Sequence, residues 1–298
     1  MTDLTGLSAI PGLNIIDTQS DAGRDRGRWL IQGLPGSGKT TLASTIAYLG
    51  PTLYLDMVGE KGTRSFQGAR YEKNITVVRP DSVKSLDKLY YFLANEDHGF
   101  KAVVVDSLTS VQRMAMRYLL GHSETSVREI EGGALTADMR TWGDSLNIMA
   151  DLGTFWFALA DGNRKNPLHV VMTAQTKVQE NEVTGETMRV LDVQKGAINA
   201  IVANADYVLY AETEDNLDAD EEAGESPVRH VVRFGAHPGY QTKARVPRDL
   251  EGKVPSIIGR GGAPNLLTLS RTLRIGGVPA AKKKPAATAA KTPAQATA

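Results

Sequence analysis

The chain alternates between short apolar runs and longer stretches of helical periodicity. "RWLIQG" (28–33), "TLYLD" (52–56), "ITVVRP" (75–80), "KAVVVDS" (101–107) and "HVVMTAQ" (169–175) have strand length and nearly continuous apolar character, as strands buried on both faces require. Between them lie patterns that predict helices near 39–48, 82–95, 108–120 and 141–160. Strands alternating with helices argue for parallel βαβ units. Further on, "ADYVLYAE" (205–212), "VRHVVRFGA" (228–236) and "YQTKARV" (240–246) crowd together, which predicts antiparallel strands added at one edge. The expected fold class is α/β, a mostly parallel central sheet flanked by helices. One core spanning 28–270 follows, with an N-terminal extension over 1–27.

Composition changes this picture at the ends. The last 19 residues, "AAKKKPAATAAKTPAQATA", hold four lysines, no acid and no large apolar side chain, too little to offset the entropy of ordering. A disordered tail over 271–298 is expected. The whole chain of 298 residues is neutral, with 34 basic and 34 acidic residues, so no global field draws it to nucleic acid or membrane. A run of eight acids without a base, "ETEDNLDADEEAGE" (212–225), suits a solvated loop. There is no cysteine, which removes disulfides and thiolate chemistry. The first 20 residues carry no basic n-region, and no apolar run approaches the roughly 20 residues of a membrane helix. The chain reads as a soluble, cytoplasmic protein with no membrane partner.

The chemistry begins at "GLPGSGKT" (33–40), which satisfies G-x-x-x-x-G-K-[ST] directly after a strand and at the opening of a helix. Gly33, Gly36 and Gly38 permit the turns that aim backbone N–H groups at a triphosphate, with Pro35 and Ser37 completing the loop. Lys39 is expected to reach the β- and γ-phosphates, Thr40 to offer its hydroxyl to Mg²⁺, and Thr41 to pack or touch the α-phosphate. ATP and Mg²⁺ are the implied ligands. Asp106 closes the strand "KAVVVDS", at the carboxyl edge where open α/β sheets bind ligands, and is expected to hold the metal through water, with Ser107 beside it. Gln175 closes "HVVMTAQ" and either caps a loop or senses the γ-phosphate. An attacking water needs a base. Asp56 and Glu60, after "TLYLD", are the two candidates, and Glu60 has the longer reach.

In this order the P-loop, the acid-bearing loop after the next strand, "VVVDS" and "VVMTAQ" resemble the RecA/RadA-like ATPase core, in the compact form of single-domain RecA-like ATPases encoded by phages, some of which act in recombination and single-strand annealing. The resemblance covers about residues 28–250. It implies subunits stacked with the nucleotide at an interface, and a K-x-R pair late in the core that reaches the neighbour's γ-phosphate. Lys243 and Arg245 match that pair. Such cations can be worth about 10³ to 10⁵ in rate; the competing reading is a basic edge strand that discourages aggregation. The family places a Glu two residues after the acid of the second strand. Here that position is Val58, and the nearest Glu is Glu60.

The resemblance further implies that two loops touch single-stranded DNA: 121–140, offering Arg128 and Arg140, and 176–196, offering Lys177, Arg189 and Lys195. The second reads as a hairpin turning at "TG" (184–185). Trp142 is expected in the core, and the basic tail either adds salt-sensitive affinity or nothing. The expected function is a DNA-dependent ATPase that oligomerises on single-stranded DNA. The alternatives are a nucleotide-gated assembly or loading module with little turnover, and a small-molecule P-loop kinase.

Overall fold

The computed structural model describes residues 25–121, 138–180, 185–219, 225–260, 262–276 and 278. Ten strands form one sheet: β1 (Arg28–Gly33), β2 (Thr52–Asp56), β3 (Ile75–Val78), β4 (Ala102–Asp106), β5 (His169–Glu180), β6 (Thr187–Leu191), β7 (Tyr207–Asp215), β8 (Val228–Arg233), β9 (Lys243–Ala244) and β10 (Ile257–Ile258). Six α-helices accompany them: α1 (Lys39–Ser44), α2 (Val83–Asn95), α3 (Leu108–Leu119), α4 (Met139–Phe157), α5 (Lys195–Asn204) and α6 (Leu266–Thr272). The spatial order is β10-β8-β7-β1-β5-β4-β2-β3, with β6 on β5 and β9 on β7. Pairing is parallel from β7 through to β3 and antiparallel for β8, β9, β10 and β6. The expected α/β architecture, with antiparallel strands at one edge, is what the chain adopts.

Successive side chains of a strand face opposite ways, so each central strand feeds two cores. Leu30, Val103, Val105, Val170 and Met172 pack with Leu86, Met114, Trp156 and Ile201 of the helices on one face. Trp29, Ile31, Val104 and Val171 pack with Leu42, Ile46 and Leu269 on the other. Burial on both faces explains the unbroken apolar runs. Among the described residues side-chain caps set four helix starts: Ser82 before α2, Ser107 before α3, Asp138 before α4 and Asn265 before α6 each accept a backbone N–H of the first turn.

Several boundaries differ from the sequence reading. β5 runs on to Glu180 because its far half pairs with β6 as a hairpin rather than ending at the sheet edge. The pair confirms the expected hairpin, while residues 181–184 of its turn lie outside the described residues. "YQTKARV" contributes only the two residues of β9. α5 and α6 were not anticipated. α6 carries the core past residue 270, since Leu273 is 2% exposed among the second core's side chains. At the other end, Arg26 N donates to Ala160 O at 2.9 Å and Val170 N to Gly27 O at 3.0 Å, joining the last residues of the expected extension to the core.

His169 opens β5 with 1% exposure and accepts from Gly27 N at 3.1 Å through Nδ1. Burial, and secondarily the charge of Arg26, lowers its pKa to about 3. The folded chain therefore holds it neutral, whereas the unfolded chain protonates it below about 6.5. Stability should fall as pH drops from about 6.5 toward 3 because of this residue, by up to about 1.4 kcal/mol per pH unit. Denaturant melts across that range test it. His169→Asn keeps an acceptor for Gly27 and should flatten the dependence relative to the parent chain.

Candidate active site

β1 delivers the phosphate-binding turn between two neighbours, with Gly33 in register with Gln175 of β5 and Ala211 of β7. A Cβ on Gly33 would lie 2.3 Å from Ala211 O and 2.5 Å from Ser37 Oγ, so the close packing admits only glycine there. Gly38, with φ 87, is the left-handed residue that turns the chain into α1. Pro35 and Gly36 form the exposed rim. Ser37 Oγ is buried without a hydrogen-bond partner. Lys39 Nζ donates to Leu34 O of its own loop at 2.7 Å. Burial lowers the lysine's pKa, while Asp106 and then Glu60 act to raise it. Thr41 is exposed, with its hydroxyl 3.5 Å from Ser65 O.

β5 lies between β1 and β4, and this places Asp106 in a ring of hydroxyls. Its Oδ2 accepts from Thr40 at 2.9 Å and from Tyr54 of β2; its Oδ1 accepts from Thr173 of β5. The carboxyl group is 2% exposed. Desolvation raises its pKa, and the three donors, Thr173 first, pull it back. The same neighbourhood drives the Tyr54 phenol far above its ordinary value, through burial and then the Asp106 charge. Tyr54 and Thr173 escaped the sequence reading. The one signal was a polar tip inside each apolar run, since a buried hydroxyl needs a partner.

The two candidate bases separate clearly. Asp56 is 2% exposed, accepts from Gly62 N at 3.1 Å and from Arg79 Nε at 2.9 Å, and so braces the loop. Glu60 reaches across to β4 and α3: its Oε1 accepts from Ser107 Oγ at 2.5 Å and Ser110 Oγ at 2.6 Å, with Arg113 Nη2 3.9 Å away. Gln175 donates its backbone N–H to Thr109 Oγ1 at 3.1 Å, and its side chain is partly exposed beside the phosphate turn. His230 of β8, another residue the sequence did not single out, sets Nδ1 3.3 Å from Ser37 O.

Lys243 and Arg245 share a side, as their spacing predicts, and both are engaged within their own fold. Lys243 Nζ donates to Val202 O and Ala203 O, each at 2.9 Å. Arg245 Nη1 pairs with Asp206 Oδ1 at 2.7 Å, and its Nη2 lies 3.3 Å from Ala203 O. The pair thus caps the carbonyl end of α5, where cations are favoured. Among the residues expected to touch DNA, Lys177 binds Val193 O at 3.1 Å and Asp192 at 3.5 Å. Arg189 is spent on the Tyr210 hydroxyl at 3.1 Å and stacks over that ring. Arg140 and Lys195 are exposed at the starts of α4 and α5. Arg128 lies outside the described residues. Trp142 is a correction: it is 43% exposed, because the first turn of α4 projects beyond the helices that cover the rest.

A family model described as an AAA domain matches residues 26–246. The chain belongs to the AAA-domain family. It is an ATP-binding P-loop ATPase of the AAA type, and the matched span contains the phosphate turn, Asp106 and the hairpin of β5 and β6. No curated protein matches the chain. Among solved structures it is similar to the ATPase DotB of Legionella pneumophila, at 12% identity and a TM-score of 0.28, covering 82% of this chain and 53% of that one. The chain spans about half the length of that protein, and at this TM-score the likeness adds nothing to the family match. Among the described residues no helix is long and apolar enough to cross a membrane.

The residues present fit a nucleotide with its metal. Ser37 Oγ is an orphan in the turn, and Lys39 donates to a carbonyl rather than to a carboxylate. Among the described residues no group of three His, Cys, Asp or Glu side chains gathers to hold an ion by itself. One carboxylate, Asp106, with the Thr40 hydroxyl suits Mg²⁺ shared with phosphate oxygens. Gly62 guards this place: a Cβ there would lie 2.8 Å from Asp106 Oδ2 and 3.1 Å from the Tyr54 hydroxyl. Gly62→Ala should cost about 1–3 kcal/mol of stability and weaken Mg²⁺-dependent nucleotide binding. Denaturant melts and fluorescent-nucleotide titrations with and without Mg²⁺ check both.

Proposed function

We propose that this AAA-type ATPase is RecA-like, hydrolyses ATP in response to single-stranded DNA, and acts as an oligomer in phage-type recombination or annealing. The observation that carries the DNA reading is the surface where α4 and α5 begin. Gln194 Nε2 donates to Trp142 O at 2.8 Å, which brings the start of α4, with exposed Trp142 and, about half a turn earlier, exposed Arg140, close to the start of α5, where Lys195 is exposed. An aromatic face flanked by cations is what sequence-tolerant binding of a single strand uses.

In this reading the turn from Gly33 to Thr41 holds the triphosphate with backbone amides, and Lys39 leaves Leu34 O for the phosphates. Thr40 and Asp106 hold Mg²⁺, which when bound neutralises charge on the phosphate oxygens. Tyr54 and Thr173 fix the Asp106 carboxylate. Glu60 is the base that orients and deprotonates the attacking water, two residues beyond the family position but directed into the site by its bonds to Ser107 and Ser110. Gln175 senses the γ-phosphate through its side chain, while its backbone is tied to α3. The placement of Glu60 favours turnover over a loading module that only binds ATP.

A role for Lys243 and Arg245 toward a neighbouring copy requires both to leave the α5 carbonyls, so the observed contacts favour capping. ATP turnover per subunit, measured against protein concentration with and without single-stranded DNA, separates the possibilities. The DNA reading expects a rate that rises with single-stranded polynucleotide and loses the rise at high salt; a flat response refutes it. Trp142→Ala should diminish the rise while sparing the basal rate. Lys243→Ala combined with Arg245→Ala should lower melting stability and leave the rate per subunit unchanged if the pair caps α5. A loss of rate that appears only at assembling concentrations would assign it to the neighbour instead. Glu60→Gln should reduce kcat by about 10²- to 10⁴-fold.

A further inference from the structure

Glu60 is held in an asymmetric way. Two donors gather on one of its oxygens, Ser107 Oγ at 2.5 Å and Ser110 Oγ at 2.6 Å, both on Oε1, and the Arg113 guanidinium stands 3.9 Å from the same atom as an ion-pair partner. Oε2 receives no hydrogen bond among the described residues. The guanidinium is chained to one of the donors, because Arg113 Nη2 donates to Ser110 Oγ at 2.9 Å. An arginine that donates to a hydroxyl strengthens that hydroxyl as a donor in turn. Ser107 and Ser110 are 1% and 4% exposed, while the Glu60 and Arg113 side chains are 19% and 64% exposed, so the hydroxyl side of the clamp is buried and its guanidinium faces solvent.

Position in the chain supports a specific purpose. Glu60 closes a turn, its N–H donating to Met57 O at 3.1 Å, between Met57, whose N–H is fixed to Asp106 O at 2.9 Å, and Lys61, which adopts a left-handed φ of 50. A loop glutamate has three rotatable side-chain bonds and no local reason to keep one direction. Bonds from the start of α3 supply that reason, and α3 begins immediately after the metal-binding Asp106. The clamp therefore references the glutamate to the same rigid element that carries the metal ligand.

We propose that Ser110 and Arg113 are positioning residues for the Glu60 base: Ser110, held by Arg113, joins Ser107 in occupying Oε1 so that Oε2 is presented to the attacking water. This rests on the reading of Glu60 as the base. Among the described residues neither bonds to Thr40 or Asp106, and neither is part of the phosphate turn. Each acts through the glutamate, so removing either costs turnover without weakening ATP binding. A misdirected base loses rate because the reacting atoms no longer meet in a productive geometry.

The test is a set of substitutions on the full chain, with kcat and KM for ATP, fluorescent-ADP affinity and melting temperature measured for each. Ser110→Ala and Arg113→Ala should each lower kcat roughly tenfold, the loss expected on deleting a charge-assisted hydrogen bond, with KM and ADP affinity within about twofold. Ser110→Thr, which keeps the hydroxyl, should restore most of the rate. In a Glu60→Gln background Ser110→Ala should have little further effect, because the two act as one unit. A Ser110→Ala enzyme with parental kcat overturns the proposal while leaving the base reading intact if Glu60→Gln is crippled. A Glu60→Gln enzyme with parental kcat overturns both. Equal loss of kcat and ADP affinity, or failure of Ser110→Thr to rescue a normally folded protein, identifies a general structural role and also overturns it.

Discussion

The structure depends on how one buried carboxylate is accommodated. Asp106 lies at the end of β4 with almost no access to water, and an ionised group in that position is costly unless its lone pairs are occupied. Its partners come from three places in the chain, the α1 hydroxyl of Thr40, the β2 phenol of Tyr54 and the β5 hydroxyl of Thr173. Satisfying the carboxylate therefore aligns the phosphate turn, β2 and β5 with one another. The burial of the carboxylate and the alignment of the strands are solved by the same set of bonds. Gly62 belongs to this solution, since any side chain there would intrude between the carboxylate and its donors.

The first turn of α3 extends that arrangement outward. Within four residues it supplies Ser107 and Ser110 to Glu60, Thr109 to the backbone of Gln175, and a little further on Gln112, whose Oε1 accepts from Gln194 N at 2.6 Å. One helix start thus touches the loop after β2, the middle of β5 at Gln175 and the entry to α5. Side chains that hold Glu60 and Gln175 and a side chain that holds the entry to α5 meet on the same rigid element.

Much of this was legible in the sequence where the deciding contacts are local. The phosphate turn could be read because strand, glycines, lysine and helix follow one another in ten or so residues. Asp106 could be read because an acid after four apolar residues ends a buried strand. Tyr54 and Thr173 could not, because their role arises from β5 inserting between β1 and β4, a choice made by long-range pairing. Lys243 and Arg245 were placed on one side correctly, but the group they face, the carbonyl end of α5, belongs to a helix that the pattern "KGAINAIVAN" did not announce. Trp142 was misjudged for a related reason: periodicity locates a residue on a helix face, but not whether a neighbouring element reaches far enough to cover it. Between Asp56 and Glu60 the sequence offered two acids, and only the Arg79 and Gly62 contacts show which one is a brace.

The location of β1 has a consequence for how the protein is made. β1 is the first strand of the core to be synthesised, yet it lies in the middle of the sheet, between β5 and β7. Its register partners begin at Val170 and Tyr207, and the His230 ring that rests on the phosphate turn is 193 residues from Ser37. A ribosome releases the nucleotide-gripping turn early but supplies its supports only after most of the chain has emerged. Until then an apolar strand waits with both edges bare, the kind of segment that invites wrong pairings. The sheet around the phosphate turn therefore closes through pairings distant in sequence rather than through a local nucleus.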